Sequence, residues 1–79
     1  MSDRVTLYSK PGCHLCDDAR VIVTQVCAGL GVTWSEIDIT QDERLFKEYG
    51  DQIPVTFVDG RQHDFWRVDP VRLKKALTT

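Results

Sequence analysis

The chain has 79 residues, of which 42% are hydrophobic and 28% charged, and a formal net charge of −2. This composition indicates a folded protein with one modest core, and the charge gives no indication of nucleic-acid binding or of attachment to an anionic membrane. No apolar run approaches the roughly 18 residues that a spanning helix needs, and the first residues show no secretory signal. We therefore expect a single domain over residues 1–79, acting as a monomer in the cytoplasm.

The first half of the chain alternates between strand and helix patterns. Branched and aromatic residues from Val5 to Tyr8 predict a strand, and Pro11-Gly12 predicts a turn after it. A helical repeat then predicts a helix over about 14–30. The apolar face expected for this helix is Leu15, Ala19, Ile22, Val26 and Leu30. Residues 32–39 predict a second strand, at a sheet edge or with a bulge near Glu36, because the alternation of apolar residues breaks there.

The second half of the chain adds two helices and a hairpin. Thr40 and Glu43 match a capping box, which predicts a short helix ending at Gly50. A strand over 55–58 is followed by Asp59-Gly60, a strong signal for a two-residue hairpin, and by a returning strand over 61–66. Asp69-Pro70 predicts the start of a last helix. The order β-α-β-α-β-β-α predicts an α/β fold with a four-stranded mixed sheet flanked by helices, the thioredoxin-like architecture.

Cysteine usage points to chemistry at one pair. Cys13 and Cys16 form a Cys-x-x-Cys motif where the first strand gives way to a helix, and Cys27 makes the count odd. A helix N-terminus favours the thiolate, the nucleophilic form of cysteine. We therefore expect dithiol–disulfide exchange at the pair, while Cys27 is expected to be a small buried hydrophobe.

Three segments resemble the glutaredoxin branch of the thioredoxin-fold proteins. Residues 8–16 are similar to the active-site segment of that family, Ile53-Pro54-Val55 to its cis-proline segment and Val58-Asp59-Gly60 to its hairpin. The resemblance implies Cys13 as the attacking thiol, Cys16 as the resolving thiol, Pro54 as a cis-proline facing them, Ile53 as the source of backbone groups for an extended substrate, and Lys10 as a basic residue directed toward a ligand carboxylate. For Lys10, simple exposure to solvent is the open alternative.

The segment after the hairpin departs from that family. Glutathione-using glutaredoxins carry a Gly-Gly and an acidic pair there, whereas residues 62–69 of this chain contain no glycine. Phe65 and Trp66 are expected to fill the space of a glutathione backbone, with Phe65 packing under the last helix. Trp66 is either a lid beside the thiols, and so a substrate-binding residue, or part of that packing. Asp69 is either a partner for a ligand amine or a helix cap.

These observations favour a thiol–disulfide oxidoreductase acting on protein disulfides and re-reduced by a cellular dithiol or reductase donor, without a cofactor. Glutathione use stays open. Two alternatives remain: a metal or iron–sulfur module in which two chains share their thiolates, and an interaction module with idle cysteines. His14 either promotes the Cys13 thiolate or is simply an exposed helix residue.

Overall fold

The computed structural model describes residues 3–78. Its strands are β1 (Val5–Ser9), β2 (Trp34–Asp38), β3 (Val55–Val58) and β4 (Arg61–Phe65), and its helices are α1 (His14–Leu30), α2 (Glu43–Tyr49) and α3 (Pro70–Thr78). The strands form a four-stranded sheet in the order β2-β1-β3-β4. β1 is parallel to β2 and antiparallel to β3, and β3 is antiparallel to β4. The predicted element order and mixed sheet are confirmed.

The two faces of the sheet pack against different helices, because successive strand residues point to opposite sides. Val5 and Leu7, on one face, are fully buried in a cluster that includes residues of α1 and α3. On the other face, the rings of Tyr8 and Phe57 lie 4.8 Å apart and both contact Tyr49 of α2. Helices therefore cover both faces of the sheet.

The buried face of α1 differs from the predicted one. The residues of α1 that are buried are Cys16, Ala19, Val23 and Cys27, so only Ala19 belongs to both sets. Ile22, Val26 and Leu30 pack at the margin of the cluster and are half-buried, while Leu15 is exposed. The apolar face of α1 is therefore wider than the single line of residues predicted. α3 lies along the margin of this face, where Lys74 lines a cleft with Val26 and Leu30.

Of the two expectations for the second strand, an edge position or a bulge near Glu36, the edge position is confirmed. β2 lies at the edge of the sheet and pairs with β1 without a register shift. The irregularity in the sheet lies instead between β3 and β4, where Thr56 pairs with Asp64 but Phe57 pairs with Gln62. His63 is thereby left over as the extra residue of a β-bulge.

The capping box predicted at Thr40 is wrong. Thr40 belongs to a short 3₁₀ turn over Ile39–Gln41, whose preceding Asp38 accepts hydrogen bonds from the backbone N–H and the hydroxyl of Thr40. The N-cap of α2 is Asp42, which accepts from the backbone N–H groups of Arg44 and Leu45. The threonine hydroxyl is engaged as a donor to Asp38 in this turn, and Asp42, two residues later, supplies the cap.

The local signals in the last part of the chain are confirmed. Asp59 and Gly60 both have positive φ, 51° and 83°, as a type I′ hairpin turn requires. Asp69 accepts hydrogen bonds from the backbone N–H groups of Val71 and Arg72, so it caps α3. Helix capping therefore accounts for this carboxylate.

Candidate functional site

The cysteine pair lies at the N-terminus of α1. Cys13 is the N-cap residue, and its sulfur accepts a hydrogen bond from the backbone N–H of Cys16 over 3.1 Å. Gly12 before it has φ +74°, a conformation that glycine adopts without steric cost. Sγ of Cys13 is thus placed against an N–H group of the first helical turn, where the helix dipole stabilises a negative charge.

The two cysteines differ in access to solvent. Their sulfurs are joined in a disulfide, with Cα atoms 5.1 Å apart, within the usual range for such a bond. Cys13 is partly exposed, whereas Cys16 is fully buried and packs in a cluster with Ile39 and Ile53. A molecule in solution therefore reaches the sulfur of Cys13 first.

The segment Ile53-Pro54 adjoins the pair. The bond between these residues is cis, as the resemblance implies, and Ile53 lies in the same apolar cluster as both cysteines. The backbone of Ile53 forms no hydrogen bond with any other residue between 3 and 78. Its N–H and C=O groups, just before β3, thus have no partner within the described chain, and an extended peptide can hydrogen-bond to such groups.

Trp66 is held in an unusual backbone conformation beside that segment. Its φ of 65° lies in the left-handed region, which costs a residue with a side chain about 1–2 kcal/mol. Its backbone N–H donates to the carbonyl oxygens of Gln52 and Pro54, at 3.1 and 2.8 Å, and its indole N–H donates to the carbonyl oxygen of Asp51 at 2.9 Å. The side chain nevertheless remains 54% exposed, so these bonds fix an aromatic ring at the surface.

Phe65 contradicts the expectation that it packs under the last helix. It is 49% exposed, and its ring lies edge-on to that of Trp66, with centroids 5.1 Å apart. The residue that packs beneath α3 is Val68, which is buried in a cluster with Leu73 and Leu77. The left-handed backbone of Trp66 lies between the exposed Phe65 and the buried Val68, and no local sequence pattern signals it.

The side chains of Lys10 and His14 form no hydrogen bond with either cysteine. Lys10 is exposed and lines a different groove, shared with Phe46 and Lys47 of α2, and His14 is an exposed first residue of α1. Neither side chain forms a hydrogen bond or salt bridge with another residue in the described part of the chain. The structure thus groups Cys13, Cys16 and Ile53 in one cluster and links Trp66 to Pro54 by a backbone hydrogen bond, while Lys10 lines a groove with residues of α2.

A polar network behind the pair was not predicted. Arg20 donates two hydrogen bonds to Glu36, at 2.7 and 2.6 Å, and a third to Asp17 at 2.9 Å. The buried hydroxyl of Ser9 donates to the same Glu36 carboxylate. The hydrogen bonds from Arg20 lower the pKa of Glu36, against the opposing effect of partial burial. The network ties the start of α1 to β2 and to the end of β1, where the turn that precedes Cys13 begins.

Cys27 lies apart from this site. It is 1% exposed and belongs to the core cluster, as expected, and burial raises the pKa of its thiol. In residues 3–78, no group of three or more His, Cys, Asp or Glu side chains is arranged to hold a metal ion. The same residues contain no helix that is both long and apolar enough to cross a membrane.

Comparisons with known proteins relate the chain to one family by both sequence and fold. The sequence model of the glutaredoxin-like domain (DUF836) matches residues 4–78. The uncharacterised protein Rv0508 of Mycobacterium tuberculosis is 33% identical over 76 residues, which span 90% of this chain and 78% of that protein. The crystal structure of protein XcR50 from X. campestris aligns with a TM-score of 0.76 and 36% identity, covering 92% of this chain and 93% of that one.

The fold is also that of thioredoxin. A thioredoxin variant from Halobacterium salinarum aligns with a TM-score of 0.61 over 92% of this chain and 71% of its own. At 24% identity, this similarity concerns the fold alone.

Proposed function

The chain belongs to the glutaredoxin-like domain (DUF836) family of thioredoxin-fold proteins, and from this premise we propose that it is a thiol–disulfide oxidoreductase that uses Cys13 and Cys16 as its dithiol. The observation that carries the proposal is the asymmetry of the pair. Cys13 is partly exposed at the N-cap of α1, and Cys16 is fully buried within bonding distance of it. This arrangement supports Cys13 as the attacking thiol and Cys16 as the resolving thiol.

The proposed reaction has two steps. The Cys13 thiolate attacks one sulfur of a substrate disulfide, so a Cys13–substrate disulfide forms and the other substrate sulfur leaves as a thiolate with the electron pair. The Cys16 thiolate then attacks the sulfur of Cys13 and releases the second substrate thiolate. The substrate disulfide has been reduced by two electrons, the Cys13–Cys16 disulfide has formed, and the released thiolates take protons from water. A dithiol donor reverses the oxidation of the pair.

Protein disulfides are the proposed substrates. The unpaired backbone groups of Ile53 support this choice, because an extended polypeptide can hydrogen-bond to them. Trp66 and Phe65 present rings where glutathione-using glutaredoxins have glycines, which supports a substrate other than glutathione. A reducing compartment such as the cytoplasm fits this reaction, because exposed dithiols there are kept reduced.

The proposal is tested by the reduction of insulin, with dithiothreitol as the dithiol donor. We expect the native protein to accelerate precipitation of the reduced insulin B chain and Cys13→Ser to lose this acceleration completely. Cys27→Ala is the matched control: it removes a thiol from α1 without touching the pair, and we expect it to retain the native rate if the protein remains folded. Equal acceleration by the native protein and by Cys13→Ser would refute the proposal.

A further inference from the structure

A groove of about 470 Å³ runs along α1 and has an apolar lining. One wall is formed by Leu15 and Ile22 of α1, and the other by Trp66 and Val68 of the segment that leads into α3. We name this cleft the α1 groove. Its volume lies within the roughly 300–1,000 Å³ typical of ligand sites in proteins.

The α1 wall of the groove starts, along the chain, between the two cysteines. Leu15 lies between Cys13 and Cys16 in the chain, and it is 39% exposed although it is a large apolar residue on a helix. On the opposite wall, Trp66 is hydrogen-bonded to Pro54, the residue that follows Ile53. A polypeptide joined to Cys13 and hydrogen-bonded at Ile53 would therefore lie close to residues of both walls.

The wall at Trp66 is held by hydrogen bonds from both its backbone and its side chain. The backbone adopts a φ that favours glycine, and hydrogen bonds to Asp51, Gln52 and Pro54 hold it there. Because the Trp66 side chain stays half-exposed, its burial stabilises the fold little and does not offset the strain of its backbone. Backbone strain of this kind is concentrated at functional positions. A fixed aromatic ring loses little conformational entropy when a ligand packs on it.

Charges of opposite sign lie on the two walls of the α1 groove. Asp18 lines it on α1 and Arg67 lines it on the facing segment, and neither forms a salt bridge with another described residue. A charged side chain entering between them would be attracted by one wall and repelled by the other. The lining and its charges together fit an uncharged apolar side chain.

We propose that the α1 groove receives a large apolar side chain adjacent to the reacting cysteine of a protein disulfide, and so makes the enzyme selective for such sites. This inference rests on the proposed function, since the groove acts only on a substrate held at Cys13. Trp66 and Leu15 are then specificity-determining residues that contact the substrate beside the reacting sulfur.

The test uses short peptides with one cysteine, flanked on both sides either by leucine or by serine. Each cysteine is joined to thionitrobenzoate in a mixed disulfide, and the glutathione mixed disulfide is a third probe. Attack of Cys13 on the peptide sulfur releases the coloured thionitrobenzoate anion, the better leaving group. The rate constant for each probe is measured with fully reduced protein. It is divided by the rate constant for the reaction of the same probe with dithiothreitol, which corrects for the intrinsic reactivity of the probe.

We expect the native protein to react at least about tenfold faster with the leucine peptide than with the serine peptide or the glutathione probe, since a buried leucine side chain contributes about that factor or more. Trp66→Gly keeps the backbone conformation that the turn requires and removes the ring, and we expect it to lower the leucine-to-serine ratio to within about twofold of unity. Leu15→Ser, on the opposite wall, should lower the same ratio. Because it compares two peptides, this ratio cancels any change in the reactivity of Cys13.

Val71→Ser is the control, because Val71 is 74% exposed and lies outside the groove. The inference predicts that this variant keeps the native ratio. A native ratio near unity, or one that persists in Trp66→Gly, would overturn the inference and leave the proposed function standing. A native dimer that Trp66→Gly dissociates in sedimentation would also overturn it, since a second copy would then occupy the groove. Absence of release from every probe would overturn the proposed function itself.

Discussion

The backbone N–H of Cys16 donates a hydrogen bond to the sulfur of Cys13, over 3.1 Å, within the first turn of α1. A sulfur in this position lies at the positive end of the helix dipole and also accepts this hydrogen bond. Both interactions stabilise its thiolate form. The donor residue also carries the second thiol. One turn of helix therefore positions both thiols of the proposed reaction.

The difference in access between the cysteines predicts an order of alkylation. In the reduced native protein, iodoacetamide should modify Cys13 at least tenfold faster than Cys16 or Cys27, whose exposed fractions are 0% and 1%. Peptide mass spectrometry after timed quenching measures the three rates, and the same reaction in urea, where all three thiols are accessible, is the control. Faster modification of Cys16 than of Cys13 would contradict the proposed roles.

The backbone of Trp66 predicts a difference between two substitutions. Trp66→Gly and Trp66→Ala both remove the ring and its hydrogen bond to Asp51, but alanine still pays for the left-handed φ of 65°. We expect the glycine variant to have the higher free energy of unfolding, by about 0.5–1 kcal/mol, in urea denaturation. Equal stabilities, or a more stable alanine variant, would show that the turn is not held in this conformation.

The salt bridge between Arg20 and Glu36 predicts a dependence of stability on pH. The folded state lowers the pKa of Glu36 through its hydrogen bonds to Arg20, so the contribution of Glu36 is present above its ordinary pKa and is lost as the pH falls through the lowered value. Glu36→Gln should therefore reduce the free energy of unfolding at about pH 7 by up to about 1 kcal/mol, and by almost nothing at about pH 2.

Glu48→Gln is the matched control for this experiment. Glu48 is exposed on α2 and forms no salt bridge with the residues that the structure describes, so its substitution should change stability little at either pH. A loss of stability in Glu36→Gln that has the same size at both pH values would mean that the Arg20–Glu36 salt bridge does not contribute.

The cap of α2 predicts a contrast between neighbouring positions. Asp42→Ala removes the acceptor for the backbone N–H groups of Arg44 and Leu45, and we expect it to cost about 1 kcal/mol in thermal or urea unfolding. Thr40→Val removes only the hydroxyl that donates to Asp38 in an exposed turn, and its cost should be smaller. A larger loss of stability in Thr40→Val than in Asp42→Ala would contradict Asp42 as the cap and would support the capping box at Thr40 that the sequence predicts.

The parts of the fold that follow from neighbouring residues were predictable from the sequence. The bounds of α1 and the hairpin at Asp59-Gly60 depend on helical periodicity and on turn chemistry within a few residues. The cap of α2 was not predictable in this way. Asp38, Thr40 and Asp42 all carry side chains that can cap a helix, and the turn after β2 decides which of them does so.

The sequence singles out the two cysteines of the candidate site but not the residues around them. Cys13 and Cys16 carry a local motif, and their resemblance to glutaredoxins extends to Ile53 and Pro54. The pair Arg20–Glu36 is separated by 16 residues and joins a helix to a strand, so no local pattern signals it. The left-handed φ of Trp66 likewise depends on acceptors in another segment, at Asp51, Gln52 and Pro54, which the sequence does not relate to it.

The most direct test of the proposed mechanism is the identity of the cysteine that becomes joined to a substrate when Cys16 is replaced. Reduced Cys16→Ser protein is mixed with a disulfide-containing protein such as insulin, quenched with acid, and analysed by intact-mass and peptide mass spectrometry. The mechanism predicts a stable mixed disulfide on Cys13 that a Cys13→Ser/Cys16→Ser double variant does not form. A mixed disulfide on Cys27 instead, or no covalent complex at all, would contradict it.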